Sequence, residues 1–145
     1  MKNDPLPRLS IGSVELATHL LETMKALPCA DRFSIVDMHK EFPPYPLPEQ
    51  ELHFIMKCIV SWVCEVAEQG TIMIDELVIM DDTLMVKLQL HSRKFLPDLP
   101  ERMEKQEDLC LRQAIDILQK FDGGLWTKLF ADRLEVSFRM ELSAL

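Results

Sequence analysis

The sequence predicts an α+β domain in which helices lie on one face of a mostly antiparallel sheet. Apolar residues recur at helical steps of three and four in three stretches, and they alternate with a period of two in the last stretch. The chain has 145 residues, which is enough for one core. The expected order is helix, strand, helix, two strands, an irregular loop segment, helix and two strands. We expect residues 1–8 to be a short lead and residues 9–145 to form a single domain.

The first third should contain a helix and a strand. Ser13 is expected to cap the helix and Pro28 to end it. Its buried side would carry Leu16, Ala17, Leu20, Leu21, Met24 and Leu27. Residues 32–38 (RFSIVDM) alternate as a strand does. Residues 41–48 contain four prolines, which lack the N–H donor and fix φ, so we expect a loop there.

The central helix is predicted for residues 49–69, with Pro48 beside its first turn. The apolar side that should face the core carries Leu52, Ile55, Met56, Ile59, Val63 and Val66. The opposite side carries a polar stripe of His53, Lys57, Ser61, Cys64 and Glu68. A helix that binds a ligand would hold its functional side chains in such a stripe.

The second half reads as a hairpin, a surface segment, a helix and a second hairpin. Two β-rich runs flank the turn at residues 81–83. Residues 91–108 are polar and interrupted by prolines, which predicts a surface segment with one helical turn at most. Residues 109–121 have a helical period and stop at Gly123-Gly124. The buried side of that helix should carry Leu111, Ala114, Ile115, Leu118 and Phe121. In the final strand we expect Leu134, Val136, Phe138, Met140 and Leu142 to face inward.

Composition excludes several classes of function. A net charge of -8 disfavours binding to nucleic acid or to anionic membranes, since both need clustered Lys and Arg. The apolar runs fall far short of the roughly 18 residues of a membrane span, and the N-terminus lacks the pattern of a signal peptide. We expect a cytoplasmic protein. The four cysteines form no CxxC pair, so we expect free thiols and no metal site.

Four segments together resemble a known family. They are residues 13–27 (SVELATHLLETMKAL), 33–63, 70–74 (GTIMI) and 111–142, where a helix ending in Gly-Gly precedes a hairpin. This order resembles the ATP-binding (GHKL, or Bergerat) domain at the C-terminus of bacterial sensor histidine kinases. The resemblance covers nearly the whole chain and implies a histidine-kinase ATPase-like fold in a bacterial two-component signalling system.

The chain departs from that family where nucleotide is bound. The family has an asparagine on the nucleotide-side helix that holds the magnesium ion and the phosphates. When the apolar sides of the two helices are matched, Ser61 takes the position of that asparagine, and Lys57 lies one turn earlier. Trp62 replaces the small residue that follows, and its indole would either fill space that adenosine needs or pack in the core. The glycine motifs expected near residues 90–94 (LHSRK) and 106–111 (QEDLCL) are absent.

No glycine occurs between residues 71 and 122. A glycine-rich lid lets backbone N–H groups approach phosphates, so this chain cannot build that lid in the usual way. We therefore expect a degenerate ATP-binding site, no cofactor and no enzymatic activity.

These departures favour a non-catalytic protein-interaction domain, a pseudo-kinase in signalling, although this inference rests on analogy of fold. The resemblance implies a protein partner, such as a histidine kinase, a response regulator or another regulator. The candidate partner surface, on the degenerate nucleotide side, consists of His53, Lys57, Ser61, Trp62, Cys64, Phe95 and Leu96. The simpler interpretation is a solvated helix face and a loop anchored to the core.

Two enzymatic alternatives stay open. A histidine phosphotransferase-like adaptor would use His19, which lies between Glu15 and Glu22, as its phospho-acceptor. Such proteins carry that histidine on a helical hairpin, and the residues before the first helix are too few for one. An anti-sigma-type serine kinase would need the missing asparagine and glycines.

Overall fold

The computed structural model describes residues 10–11, 18, 22–23, 25–26, 33–37, 45–105 and 108–142. The strands are β1 (Ser10–Ile11), β2 (Phe33–Asp37), β3 (Tyr45–Pro46), β4 (Gly70–Met80), β5 (Thr83–His91), β6 (Gly124–Leu129) and β7 (Arg133–Glu141). The helices are α1 (Glu49–Val66), α2 (Leu99–Lys105) and α3 (Leu109–Gln119). Thr18, Glu22, Thr23 and Lys25 are also helical, within the first predicted helix. The rest of that helix, with Ser13, Pro28 and His19, lies outside the described residues.

The main sheet has five strands in the order β2-β4-β5-β7-β6. β2 runs parallel to β4, whereas the other three neighbouring pairs are antiparallel. The chain passes through α1 between β2 and β4, and parallel neighbours need such a crossover. The predicted α+β class, with a mostly antiparallel sheet, is confirmed.

Helix α1 lies at the centre of the core. Its predicted apolar side is fully buried, and Cys58, Val60 and Trp62 are buried as well, so more than one side of the helix faces protein. The helix ends at Val66 because Ala67 turns extended and pairs with Phe95. In the described part of the chain, no helix combines the length and hydropathy that a membrane span requires.

The C-terminal hairpin completes the sheet as predicted. β7 pairs with both β5 and β6, and its five predicted inward residues are all buried. Helix α3 buries Ala114, Leu118 and then Phe121, whereas Leu111 and Ile115 are only half-buried. The two half-buried residues line a cavity, and Leu111 also packs against the core.

Two segments expected to be irregular contain short regular elements. Residues 91–108, predicted as a surface segment with one helical turn at most, include the seven-residue helix α2, which buries Leu99 completely. Pro100 is tolerated at its first turn, where its missing N–H has no intrahelical partner. The proline-rich loop also contains β3, which pairs only with the two-residue β1 among the described residues.

Candidate functional site

A cavity of about 320 Å³ lies between α1, α2, α3 and β6. Its apolar lining comes from all four elements and consists of Trp62, Met103, Leu111, Ile115 and Leu125. Ligand sites for small molecules occupy roughly 300 to 1,000 Å³, so this cavity is at the lower end of that range. It can hold one or two apolar side chains or a small ligand.

One side of α3 forms the longest wall. Leu111 and Ile115 are four residues apart and therefore lie on the same side of the helix. Ala114 and Leu118 lie along the adjacent edge of the same apolar side and are fully buried. The apolar side predicted for α3 thus faces the core along one edge and the cavity along the other.

The polar lining of the cavity carries both signs of charge. Arg102 and Arg112 bring cations to it, and Asp108 and Asp116 bring carboxylates. None of the four forms an ion pair with another side chain in the described ranges. Asp108 precedes α3 without making a side-chain capping bond. These groups are therefore available to bind charged groups of a ligand or partner.

Trp62 is the only one of the seven predicted partner-surface residues that lines this cavity. Its side chain is 1% exposed. Ser61, which takes the position of the family's asparagine when the helices are matched, is half-buried and is not part of the cavity lining. The large indole therefore occupies the wall between α1 and α3.

The polar stripe of α1 lies away from the cavity. His53 and Lys57 are exposed, and His53 Nδ1 lies 2.9 Å from the hydroxyl of the buried Thr23. His53 therefore contacts the helical segment that precedes the sheet. Its role in binding a partner stays a prediction.

Cys64 corrects the prediction of free thiols, because it takes part in a disulfide bond. Cys58 and Cys110 are free. Spacing along the sequence does not reveal which cysteines meet in the fold, so the bond could not be predicted. Burial, chiefly, raises the pKa of both free thiols above its ordinary value. They stay protonated at neutral pH and are weak nucleophiles.

Phe95 and Leu96 are half-buried against the core. Leu96 donates its N–H to the carbonyl of Val66 at 2.9 Å, and Phe95 pairs with Ala67. The segment that follows β5 is therefore attached to the end of α1. This agrees with the simpler interpretation of an anchored loop, and the partner role of these two residues is untested.

The end of β5 is a closely packed junction where the family would have its first glycine motif. Ser92 is buried, and its hydroxyl donates to the Gln69 carbonyl at 2.6 Å and accepts the Lys94 N–H at 3.1 Å. A Cβ on Gly70 would lie 2.3 Å from the His91 carbonyl oxygen. The hydrogen bonds of this segment hold the sheet to α1.

The charged residues of the cavity were not among the predicted site residues. Asp108, Arg112 and Asp116 follow each other at four-residue steps, and this spacing was the available signal. No spacing pattern pointed to Arg102 and Met103 as cavity residues, because their segment was predicted to be mostly irregular.

Searches of protein-family models and of curated protein sequences gave no match. Solved structures are similar in fold. The Acinetobacter baumannii histidine kinase AdeS aligns at 9% identity and a TM-score of 0.71, over 96% of this chain and 69% of that one. The nucleotide-free catalytic domain of histidine kinase ThkA aligns at 14% identity and a TM-score of 0.69, over 92% and 95%.

Full-length ShkA in complex with AMPPNP aligns at 14% identity and a TM-score of 0.71. That alignment covers 97% of this chain and 32% of ShkA, so this chain corresponds to about a third of that protein. The predicted resemblance is confirmed at the level of fold. The chain has the fold of the catalytic (HATPase/GHKL) domain of histidine kinases.

Proposed function

We propose that this chain is a non-catalytic, pseudo-kinase domain that docks a protein partner in bacterial signalling. The observation that carries the proposal is Trp62, whose buried indole forms the wall between α1 and α3. ShkA, which shares the fold, was solved with the ATP analogue AMPPNP. In this chain the corresponding fold offers a small cavity with an apolar lining.

The chemistry of the cavity supports a preference for protein over triphosphate. Asp108 and Asp116 bring negative charge to the lining, which repels phosphate groups and offsets the attraction of Arg102 and Arg112. The absence of glycine between residues 71 and 122 also removes the backbone that could approach phosphates closely. Both features favour a ligand that is not a nucleotide.

An apolar pocket lined by charges of both signs suits a side chain of a partner protein. Interfaces place apolar anchors in desolvated pockets and surround them with polar groups. A histidine kinase, a response regulator or another regulator is the kind of partner that the fold suggests. The exposed side chains of His53 and Lys57 provide further polar surface on α1.

A thermal-shift titration with magnesium and AMPPNP tests the proposal. A ligand at 100 times its dissociation constant stabilises a protein by about 2.7 kcal/mol, which moves the melting temperature by several degrees. We expect no shift for this chain and a clear rise for ShkA as the positive control. A concentration-dependent rise for this chain would overturn the non-catalytic assignment.

A further inference from the structure

Strand β6 forms an edge of the main sheet. It pairs with β7 on one side, and no other strand of the described ranges pairs with it. An edge strand presents N–H and C=O groups that can pair with another chain. Only one cation, Lys128, lies on this strand to discourage such pairing.

The register of the hairpin shows which backbone groups face the open edge. The Phe130 N–H donates to the Arg133 carbonyl at 2.8 Å, so these two residues form a hydrogen-bonded pair. Hydrogen-bonded and non-hydrogen-bonded pairs alternate along an antiparallel ladder. Leu125, Thr127 and Leu129 therefore direct their backbone groups away from β7.

We propose that β6 pairs with β6 of a second copy of this chain, antiparallel and with a two-fold axis at Thr127. In this register Thr127 meets Thr127 of the second copy, and Leu125 meets Leu129 of the second copy. All three outward-facing residues are paired, and the two five-stranded sheets become one continuous sheet. The proposal does not depend on the proposed function.

The side chains of β6 are self-complementary in this register. Trp126 is 52% exposed on the sheet face away from the helices, and it lies opposite Lys128 of the second copy. An indole beside an ammonium is a favourable cross-strand contact, and it would add to the contact of the Arg139 guanidinium of the same copy, which lies 5.6 Å from the Trp126 ring centroid. No two like charges are directly opposite each other in this register. On the helix side, Leu125 and Leu129 of the two copies form two apolar cross-strand pairs.

Sedimentation velocity across a dilution series from micromolar to submillimolar concentration tests this inference. The wild-type chain should sediment as a dimer that dissociates on dilution. Thr127→Pro should weaken the dimer by roughly tenfold or more, because it removes the N–H that bonds across the axis in each copy. It should leave the β6–β7 ladder intact, since that N–H points away from β7.

Thr127→Lys is a second disruptive variant, because it places two like charges opposite each other at the axis while keeping the N–H. Met80→Glu is the matched control, since Met80 is 64% exposed on β4, far from this edge. The expected pattern is a dimer for wild type and Met80→Glu and a monomer for the folded Thr127 variants. A monomeric wild type, or a dimer that tolerates both Thr127 variants or is lost in Met80→Glu, would overturn the inference.

Discussion

At the scale of single residues, two neighbouring glycines have different roles. Gly123 lies where the chain leaves α3, and a Cβ added there would be 1.8 Å from the Arg139 carbonyl oxygen. At Gly124 the nearest atoms to an added Cβ belong to the side chain of Trp126, at 3.3 Å. Gly123 is therefore needed for the close approach of its own backbone to the β7 backbone. At Gly124 the nearest atoms belong to a side chain, so a glycine is not required there.

We therefore expect Gly123→Ala to lower the free energy of unfolding by at least about 2 kcal/mol, because the β7 backbone must shift. Gly124→Ala is the matched control and should cost less than about 1 kcal/mol, since a side chain can move aside. Urea unfolding followed by circular dichroism measures both. Equal losses in the two variants would contradict the role assigned to Gly123.

The buried thiol of Cys58 on α1 should make the free energy of unfolding depend on pH. Its pKa is raised by burial and, secondarily, by the neighbouring Cys110, so the folded state favours the neutral thiol. This contribution is fully present below the unfolded pKa, about 8.5, and is lost as pH rises through the folded value.

The free energy of unfolding should accordingly fall more steeply above about pH 8.5 for wild type than for Cys58→Ala. Urea titrations of both proteins at neutral and alkaline pH measure the difference. Alkylation provides a second readout, because the thiol of folded Cys58 should react with iodoacetamide far more slowly than that of half-exposed Cys110. Parallel pH profiles would contradict this account.

At the scale of elements, periodicity predicted the two longer helices and both hairpins. It predicted the side of α1 that faces the core, but not the burial of Cys58, Val60 and Trp62 outside that side, because a helix buried on more than one side departs from a simple two-sided pattern. Trp62 was identified from the sequence as a departure from the family. Its position in the cavity wall depends on tertiary packing and could not be predicted. Helix α2 was predicted as no more than one turn, since its seven residues include a proline and are too few to show a period.

The turn between β4 and β5 is strained in a way that one substitution should relieve. Asp81 and Asp82 have φ of 52° and 60°, in the left-handed region that favours glycine. We expect Asp81→Gly to raise the free energy of unfolding by about 0.5 to 1 kcal/mol.

Asp132→Gly is the matched control in the turn between β6 and β7, where φ is not in the left-handed region. That substitution should be neutral or destabilising, since glycine there adds freedom to the unfolded chain and removes the carboxylate that lies 3.5 Å from Arg133 Nη1. Thermal unfolding of both variants measures the contrast. A gain of stability in both, or in Asp132→Gly alone, would argue against strain at Asp81.

At the scale of the whole molecule, the order of elements was enough to predict the fold, because strand and helix patterns alternate clearly along the chain. The sequence did not predict the charged lining of the cavity or the disulfide at Cys64. These features depend on residues far apart in the chain, and their meeting is set by packing. The glycine count and Trp62 pointed from the sequence to a site poorly suited to nucleotide.

The most direct test of the central claim follows the indole N–H resonances of the two tryptophans by NMR during titration with magnesium and AMPPNP. Trp62 lines the cavity and is buried, whereas Trp126 is exposed on the outer face of the sheet and serves as an internal reference. The non-catalytic assignment predicts that neither resonance moves. A saturable shift of the Trp62 indole, with Trp126 unchanged, would show nucleotide in the cavity and contradict it.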